Sequence, residues 1–417
     1  GALAAEPLYV LVDTAIVGRL GTVPLGGLAL ATTVLTSLMW VCNFLAFGTT
    51  TRVAVLTGRG DGPAAACAGA QALWLCAFIG VPMTALVAAT GRPLAAALGG
   101  DGAILDAAST YLRISAFAMP AVLITLAGQG FLRGLSDTRT ALVIVLVANG
   151  LNVVLEVVLV YGLDLGVAGS AWGTLIAQWV GALWFLRVCG ARIAGAGTGL
   201  GPVRAELARL VSVGRHVLVR TAALLAVLTL ATAVAARTDA ATLAGHQIAY
   251  QVFVFLALGV DALAIAAQAI VGTELGAAGD DEANATSRRL IRLGLVVGAA
   301  IGMVLIVSAP WFPRLFSADE AVVARATTAL VFLGVMQLPG SVAFVLDGVL
   351  MGGGDFAYVK WVTAAALVVF LPFAGAVLAW PEPGIAGVWA GLLAWMTTRA
   401  ALNGRRFRSG RWTAAAG

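Results

Sequence analysis

Charged residues are scarce in this chain of 417 amino acids, at 11% of the total against 61% hydrophobic residues. Soluble proteins carry about 25% charged residues. A water-soluble fold of this length could not keep so much apolar surface away from solvent. We therefore expect an integral membrane protein, with the lipid bilayer as its solvent.

Histidine and cysteine are also rare, with two and four copies. The cysteines lie in apolar stretches without CxxC spacing, so neither a disulfide framework nor a zinc site is expected. The sequence lacks the Walker, GxSxG and HExxH motifs that would indicate hydrolysis of ATP or of a bound substrate. The net charge of +5 is spread over short loops and a tail, without the aromatic–basic patch of a nucleic-acid partner. These absences predict a protein that is not an enzyme and uses no cofactor.

The sequence contains an internal repeat at an offset of 218 residues. Gly27 corresponds to Gly245, and Asp137 corresponds to Asp355. The segments GVAGSAWGT and GIAGVWAGL align at the same offset. A duplicated hydrophobic chain of this length is typical of membrane transporters with two pseudo-symmetric halves.

Twelve apolar runs reach the length of about 20 residues that a membrane-spanning helix needs. They predict an all-α membrane protein with twelve transmembrane helices in two six-helix lobes. The predicted lobes are residues 1–190 and 212–403, joined by a cytoplasmic linker (191–211) with a short amphipathic helix and followed by a basic tail (404–417). Because the chain is already apolar at residue 1, we expect the natural chain to begin earlier.

Basic residues predict the orientation. Eighteen lie in the even-numbered turns, the linker and the tail, with Arg399 counted among them, and six lie on the other side. Arg220 is set apart as intramembrane. By the positive-inside rule both termini face the cytoplasm, and we expect a multi-pass protein of a bacterial inner membrane. The tail RRFRSGR is interpreted as a topology and lipid anchor.

Polar residues inside the apolar runs mark the candidate site, since a charge at mid-membrane costs about 2.5–3.5 kcal/mol and needs a reason. Asp13 lies in the first run. Asn149, Asn152 and Glu156 share one face of the fifth predicted helix, and Thr174 adds a hydroxyl on the sixth. An alternative role for the asparagines is hydrogen bonding between helices.

A cation site is the interpretation that explains the acids. If Asp13 and Glu156 converge, the pair can hold a proton at neutral pH and release it to water. The same oxygens, with Asn152 and Thr174, can instead ligate Na⁺, because a hard cation takes carboxylate, amide and hydroxyl oxygens. The residues alone leave H⁺ and Na⁺ open.

Further acids are candidates for a substrate cavity. Asp261 and Asp347 lie in the second half, and Glu6 lies seven residues before Asp13. Together with Asn149 they could line a cavity that attracts a cationic compound. The alternative for Asp261 and Asp347 is a local cap or pair, for instance with Arg220.

Six segments resemble the multidrug and toxic compound extrusion (MATE) family, and its DinF-like branch in particular. They are EPLYVLVDTAIVGRLG, QGFLRGLSDTR, NVVLEVVLVYGL, GVAGSAWGTLIAQ, AGHQIAYQVF and LDGVLMGGGD. The resemblance covers the whole chain and implies two six-helix lobes around a central cavity. It also implies export of amphipathic, often cationic compounds in exchange for H⁺ or Na⁺. The family's coupling residues match Asp13, Asn152, Glu156 and Thr174, with Glu156 in place of an aspartate.

The sequence thus predicts a monomeric, cation-coupled secondary antiporter that exports amphipathic or cationic compounds by alternating access. Its partners are small organic molecules and membrane lipids. A lipid-linked flippase of the same superfamily is the alternative, but it should have a strongly cationic cavity, whereas Arg220 is the one intramembrane cation expected here. A membrane enzyme or scaffold ranks lower, because no catalytic polar cluster lies at one membrane face and a scaffold needs no buried acids.

Overall fold

The computed structural model describes residues 13–197, 199, 201–380, 382 and 384–416. Within these ranges the chain is helical and contains no strand. Glu6 lies outside the described residues. The predicted all-α fold is confirmed.

Eleven helices of the described part are long and apolar enough to cross a membrane. Residues 13–18 are also helical and form the end of α1, the first predicted span. The remaining helices are α2 (Thr22–Gly58), α3 (Gly62–Ala97), α4 (Gly102–Gly134), α5 (Thr138–Gly162), α6 (Gly166–Gly195), α7 (Arg204–Thr238), α8 (Ala240–Ala277), α9 (Asp280–Ser308), α10 (Glu320–Gly352), α11 (Phe356–Ala379) and α12 (Gly384–Arg408). Short 3₁₀ turns occur at Phe312–Leu315 and Thr413–Ala416.

Three of the spans change their helical geometry internally. Helix α2 is divided at Asn43, and α4 contains a 3₁₀ turn at Ala116–Ala118. Helix α5 is α-helical over Thr138–Glu156 and π-helical over Val157–Gly162. Single π-turns inside α-helices are frequent at functional sites, and this one begins directly after the predicted site residue Glu156.

The chain forms two compact units, Gly1–Gly214 (unit 1) and Arg215–Gly417 (unit 2). The boundary lies inside α7. The short amphipathic helix expected in the linker is the first part of α7, which runs without interruption from Arg204 into the next span. Its first turn is held within unit 1, where Arg52 donates to Glu206 at 2.9 Å.

Equivalent glycine contacts in the two units confirm the repeat. A Cβ atom on Gly27 would lie 2.9 Å from the backbone nitrogen of Ala108, which brings α2 against α4. In unit 2 a Cβ on Gly245 would lie 2.9 Å from the backbone nitrogen of Ala326, which brings α8 against α10. The two contacts are related by the 218-residue offset at both partners, so the halves are pseudo-symmetric in their packing as well as in their sequence.

The end of the chain packs on unit 2. Arg405, Arg406 and Arg408 belong to the last turns of α12, and Arg406 donates to Asp355 at 2.7 Å. The side chain of Trp412 is fully buried, with its ring against Gly353. Arg406 and Trp412 are therefore committed to contacts within this unit.

Candidate functional site

The two acids predicted to converge lie together in the interior of unit 1. Asp13 is 2% exposed and Glu156 is fully buried. The Ser170 hydroxyl on α6 donates to Oδ1 of Asp13 at 2.6 Å. The carboxyl groups of Asp13 and Glu156 lie close enough to interact directly. A hydrogen bond between two carboxyl groups needs a proton on one of them, because a carboxylate can only accept.

Asn152 and Thr174 complete the predicted cluster. Either orientation of the Asn152 amide reaches the Thr174 hydroxyl, at 3.2 Å. The orientation that satisfies both ends of the amide also donates from nitrogen to Oε1 of Glu156 at 3.0 Å. The structure therefore brings all four predicted ion-coupling residues into one hydrogen-bonded cluster.

Tyr111 on α4 is a member that the sequence did not reveal. Its side chain is 2% exposed, and it lies near the side chains of Thr174 and Ser170. Asp13 and Glu156 both lie within electrostatic range of it. No spacing rule links Tyr111 or Ser170 to the acids, because they approach from α4 and α6 through tertiary packing alone.

Glycines on α6 allow this close approach. A Cβ on Gly173 would lie 3.2 Å from Cγ of Glu156, and one on Gly169 would lie 2.8 Å from the carbonyl carbon of Leu159. Small residues let helix backbones pack closely in a membrane. The GVAGSAWGT segment thus has a direct role in seating α6 against the acid on α5.

Asn149 does not join the cluster. It is half-buried on α5, and the described hydrogen bonds of the cluster do not include it. Its predicted place in a substrate cavity stays a prediction.

Asp347 of unit 2 is the centre of a different cluster, in which one acid pairs with two arginines. It is 1% exposed and accepts from Arg220 on α7 at 2.8 Å and from Arg399 on α12 at 2.7 Å. Asn403 donates to its other oxygen at 2.6 Å. The local pairing considered for Asp347 is therefore present, and its negative charge is matched by two cations.

The structure corrects the placement of Arg399. The sequence counted it with the cytoplasmic basic residues, which left Arg220 as the one intramembrane cation. Arg399 is instead 1% exposed, with its guanidinium over the rings of Phe344 and Trp395. From its position near the end of an apolar run, an arginine is assigned to a loop. Its burial can be recognised only when its partner within the protein is known. Asp261, half-buried on α8, lies within electrostatic range of Arg399 and so belongs near this cluster.

The acids of the two units are therefore in opposite electrostatic situations. None of the ion pairs among the described residues includes Asp13 or Glu156, whereas Asp347 has two such pairs. An acid with two cationic partners stays ionised, while two buried acids in contact disfavour a second negative charge. The two clusters therefore differ in how their buried acids are paired.

Comparison with known proteins agrees with this architecture. The sequence matches the MatE family over residues 1–158 and again over residues 218–375, and the chain therefore belongs to this family. It is 29% identical to Protein DETOXIFICATION 44 of Arabidopsis thaliana, over 99% of this chain and 81% of that protein. It is 28% identical to DNA damage-inducible protein F of Escherichia coli K12, over 98% of this chain and 90% of that protein.

Solved structures show the same fold. A crystal structure of a MATE protein in the bent conformation superposes with a TM-score of 0.92 at 21% identity, covering 99% of this chain and 93% of that one. The predicted resemblance to the MATE family is thus confirmed. The protein is a multi-pass membrane transporter and not an enzyme.

Proposed function

We propose that this protein is a proton-coupled antiporter that exports amphipathic organic cations across a bacterial inner membrane, as a monomer with both termini in the cytoplasm. The observation that carries the proposal is the contact between Asp13 and Glu156, deep in unit 1 and without a cationic partner among the described ion pairs. The family relatives include a protein named Multidrug resistance protein MdtK, from Edwardsiella ictaluri, which supports organic compounds as the exported class.

The donor groups around the acids favour H⁺ over Na⁺. Ser170 already donates to one oxygen of Asp13, and Asn152 can donate to one oxygen of Glu156. The described N–H and O–H groups leave Oε2 of Glu156 without a donor. A shared proton satisfies this arrangement directly, whereas Na⁺ would require the carboxylates to turn several oxygens toward one point.

In this mechanism the proton load of the cluster selects the conformation. When the cluster faces the outside, the acid pair takes up a proton, and the loss of negative charge favours release of a cationic substrate. The proton leaves when the cluster becomes accessible to the cytoplasm. The coupling follows from alternating access, because each ligand binds one state more tightly than the other.

Arg399 is a second buried arginine besides Arg220, but its presence does not favour the flippase alternative. A cationic site for a lipid-linked pyrophosphate would need guanidinium groups free to bind it. Arg220 and Arg399 both donate to Asp347, and Asp261 lies near Arg399. The positive charge of unit 2 is largely neutralised from within.

Transport in proteoliposomes tests the proposal. The wild-type protein should move ethidium, an amphipathic aromatic cation, under an imposed proton gradient, and an imposed sodium gradient should have no effect. Asp13→Asn removes the charge that must be neutralised, and we expect it to reduce proton-driven transport by at least about 100-fold, as is common when a group essential to a proton-transfer step is removed.

Asp106→Asn is the matched control, because Asp106 is an exposed acid of the same unit that pairs with Arg92. It should transport at the wild-type rate. Transport driven by sodium alone would replace H⁺ with Na⁺ in the mechanism. Unchanged proton-driven efflux by the Asp13→Asn protein would refute the assignment of the site.

A further inference from the structure

A hydrogen bond joins the ends of the two helices that carry the acid pair. The hydroxyl of Tyr161 on α5 donates to the backbone carbonyl of Ile16 on α1 at 2.6 Å. Ile16 lies three residues after Asp13, and Tyr161 lies five residues after Glu156. The bond therefore lies about one turn beyond the acid on each helix.

The carbonyl of Ile16 is available because α1 ends there. The amide of Leu20 donates to Val17 and that of Gly21 donates to Gly18, so the regular bond to Ile16 is missing. A carbonyl at a helix end needs a partner from elsewhere. At the repeat position in unit 2, Val234 lies inside α7, and its carbonyl accepts from the hydroxyl of Thr238 on the same helix. A partner from a second helix is thus a feature of unit 1.

The π-helical segment explains how Tyr161 reaches α1. In an α-helix, residues five apart are rotated by about 140° relative to each other, because each residue turns by about 100°. In a π-helix the hydrogen bonds join residues five apart, which then lie on nearly the same face. The π-turns at Val157–Gly162 therefore direct Tyr161 toward the side of α5 that Glu156 occupies.

Unit 2 has neither the acid nor this device. The repeat positions of Glu156 and Tyr161 are Ala374 and Ala379. Both lie in α11, which is α-helical from Phe356 to Ala379. The acid, the tyrosine and the π-turn therefore occur together in the unit that has the buried acid pair.

We infer that Tyr161 is a positioning residue for the coupling site, and that its hydrogen bond to Ile16 holds Asp13 in contact with Glu156. This inference rests on the proposed function, because it assigns Tyr161 to the proton-binding step of that site. The hydroxyl fixes the distance between α1 and α5 and thereby sets how tightly the acid pair holds its proton. Tyr161 itself does not exchange the proton.

The test compares two tyrosine variants in the full-length protein. Tyr161→Phe removes the hydroxyl and keeps the ring. Tyr358→Phe is the matched control, because the Tyr358 hydroxyl also donates to a backbone carbonyl, that of Leu402, at 3.0 Å in unit 2. Ethidium transport in proteoliposomes is measured from pH 5 to 9, together with proton release on ethidium binding in detergent and the thermal midpoint.

Tyr161→Phe should shift the pH profile toward lower pH by about half a unit or more, since acids held further apart share a proton less tightly. Proton release on ethidium binding at neutral pH should fall with it, while Tyr358→Phe retains the wild-type profile. An unshifted profile for Tyr161→Phe overturns the inference, even if the thermal midpoint falls, because the bond would then be structural only. If Asp13→Asn abolishes transport and Tyr161→Phe matches the control, the inference fails and the proposed function stands.

Discussion

Six polar positions of unit 1 have apolar counterparts in unit 2, although both units pack their helices on the same glycine contacts. The cluster of Asp13, Tyr111, Asn152, Glu156, Ser170 and Thr174 maps through the 218-residue offset onto Ala231, Ala329, Phe370, Ala374, Val388 and Leu392. All six counterparts belong to one buried hydrophobic core. Equivalent positions of the two repeats thus form a polar acid site in one half and an apolar core in the other.

The charges of unit 2 occupy other positions and serve another purpose. Asp347 corresponds to Gln129 and Arg399 to Gly181 of unit 1. The carboxylate of Asp347 joins α7, α10 and α12 through three hydrogen bonds. Both halves therefore keep equivalent glycine contacts. Unit 1 holds two buried acids without a cationic partner among the described ion pairs, whereas unit 2 holds an ionic link between helices.

Among the variants that distinguish the two acid clusters, we expect the largest change in stability from Asp347→Asn. It leaves the buried guanidinium groups of Arg220 and Arg399 without their carboxylate, and breaking a buried ion pair from one side costs about 3–5 kcal/mol. We expect a clear loss of thermal stability in detergent, measured by the unfolding midpoint and by the half-life of the monodisperse protein. A stable Asp347→Asn protein that no longer transports would instead assign Asp347 to substrate recognition, as the sequence first suggested.

Glu156→Gln should give the opposite pattern. A glutamine keeps the size of the side chain and replaces a carboxyl group that has no cationic partner among the described ion pairs, so we expect a change in stability below about 1 kcal/mol. Proton-driven ethidium efflux should be lost, because an amide cannot exchange the proton. The measurement pairs the unfolding midpoint with transport in vesicles, and a large fall in stability would show that the two acid clusters are not distinct in role.

Features that depend on neighbouring residues in the chain could be predicted from the sequence, whereas features that depend on contacts between distant segments could not. The repeat and the spans followed from patterns along the chain, because long apolar runs are local features. The convergence of Asp13 with Glu156 was a hypothesis, based on the cost of acids in lipid and on the family resemblance. Tyr111 and Ser170 could not be found in this way, since their role arises from the packing of α4 and α6 against the acids. Arg399 was misplaced because its burial depends on a carboxylate 52 residues earlier in the chain. The π-turn after Glu156 could not be predicted either, because neither apolar length nor the spacing of polar residues distinguishes a π-turn from an α-helix.

The smallest effect concerns a pair of ionic contacts that the two units share. Asp137 begins α5 and pairs with Arg192 near the end of α6, while Asp355, at the repeat position, precedes α11 and pairs with Arg406 near the end of α12. Burial alone would raise the pKa of Asp137, but hydrogen bonds from the Thr140 backbone and from Arg192 hold it below its usual value. A lowered pKa contributes stability above the unfolded-state value of about 3.9, and this stability is lost as the pH falls through the folded-state value.

Asp137→Asn keeps a residue that can cap the helix and removes the charge. Because the pair is partly exposed, we expect it to cost about 0.2–1 kcal/mol at neutral pH. The difference from wild type should vanish only below the folded-state pKa of Asp137, which is lower than its unfolded-state value. Asp355→Asn should cost more, since the Asp355 side chain is 7% exposed against 23% for Asp137. Unfolding midpoints of both variants at pH 7 measure this order, and those of Asp137→Asn at about pH 2 test the loss of the difference from wild type. An equal loss of stability in the two variants would mean that the burial of the aspartate does not influence the strength of this ionic contact.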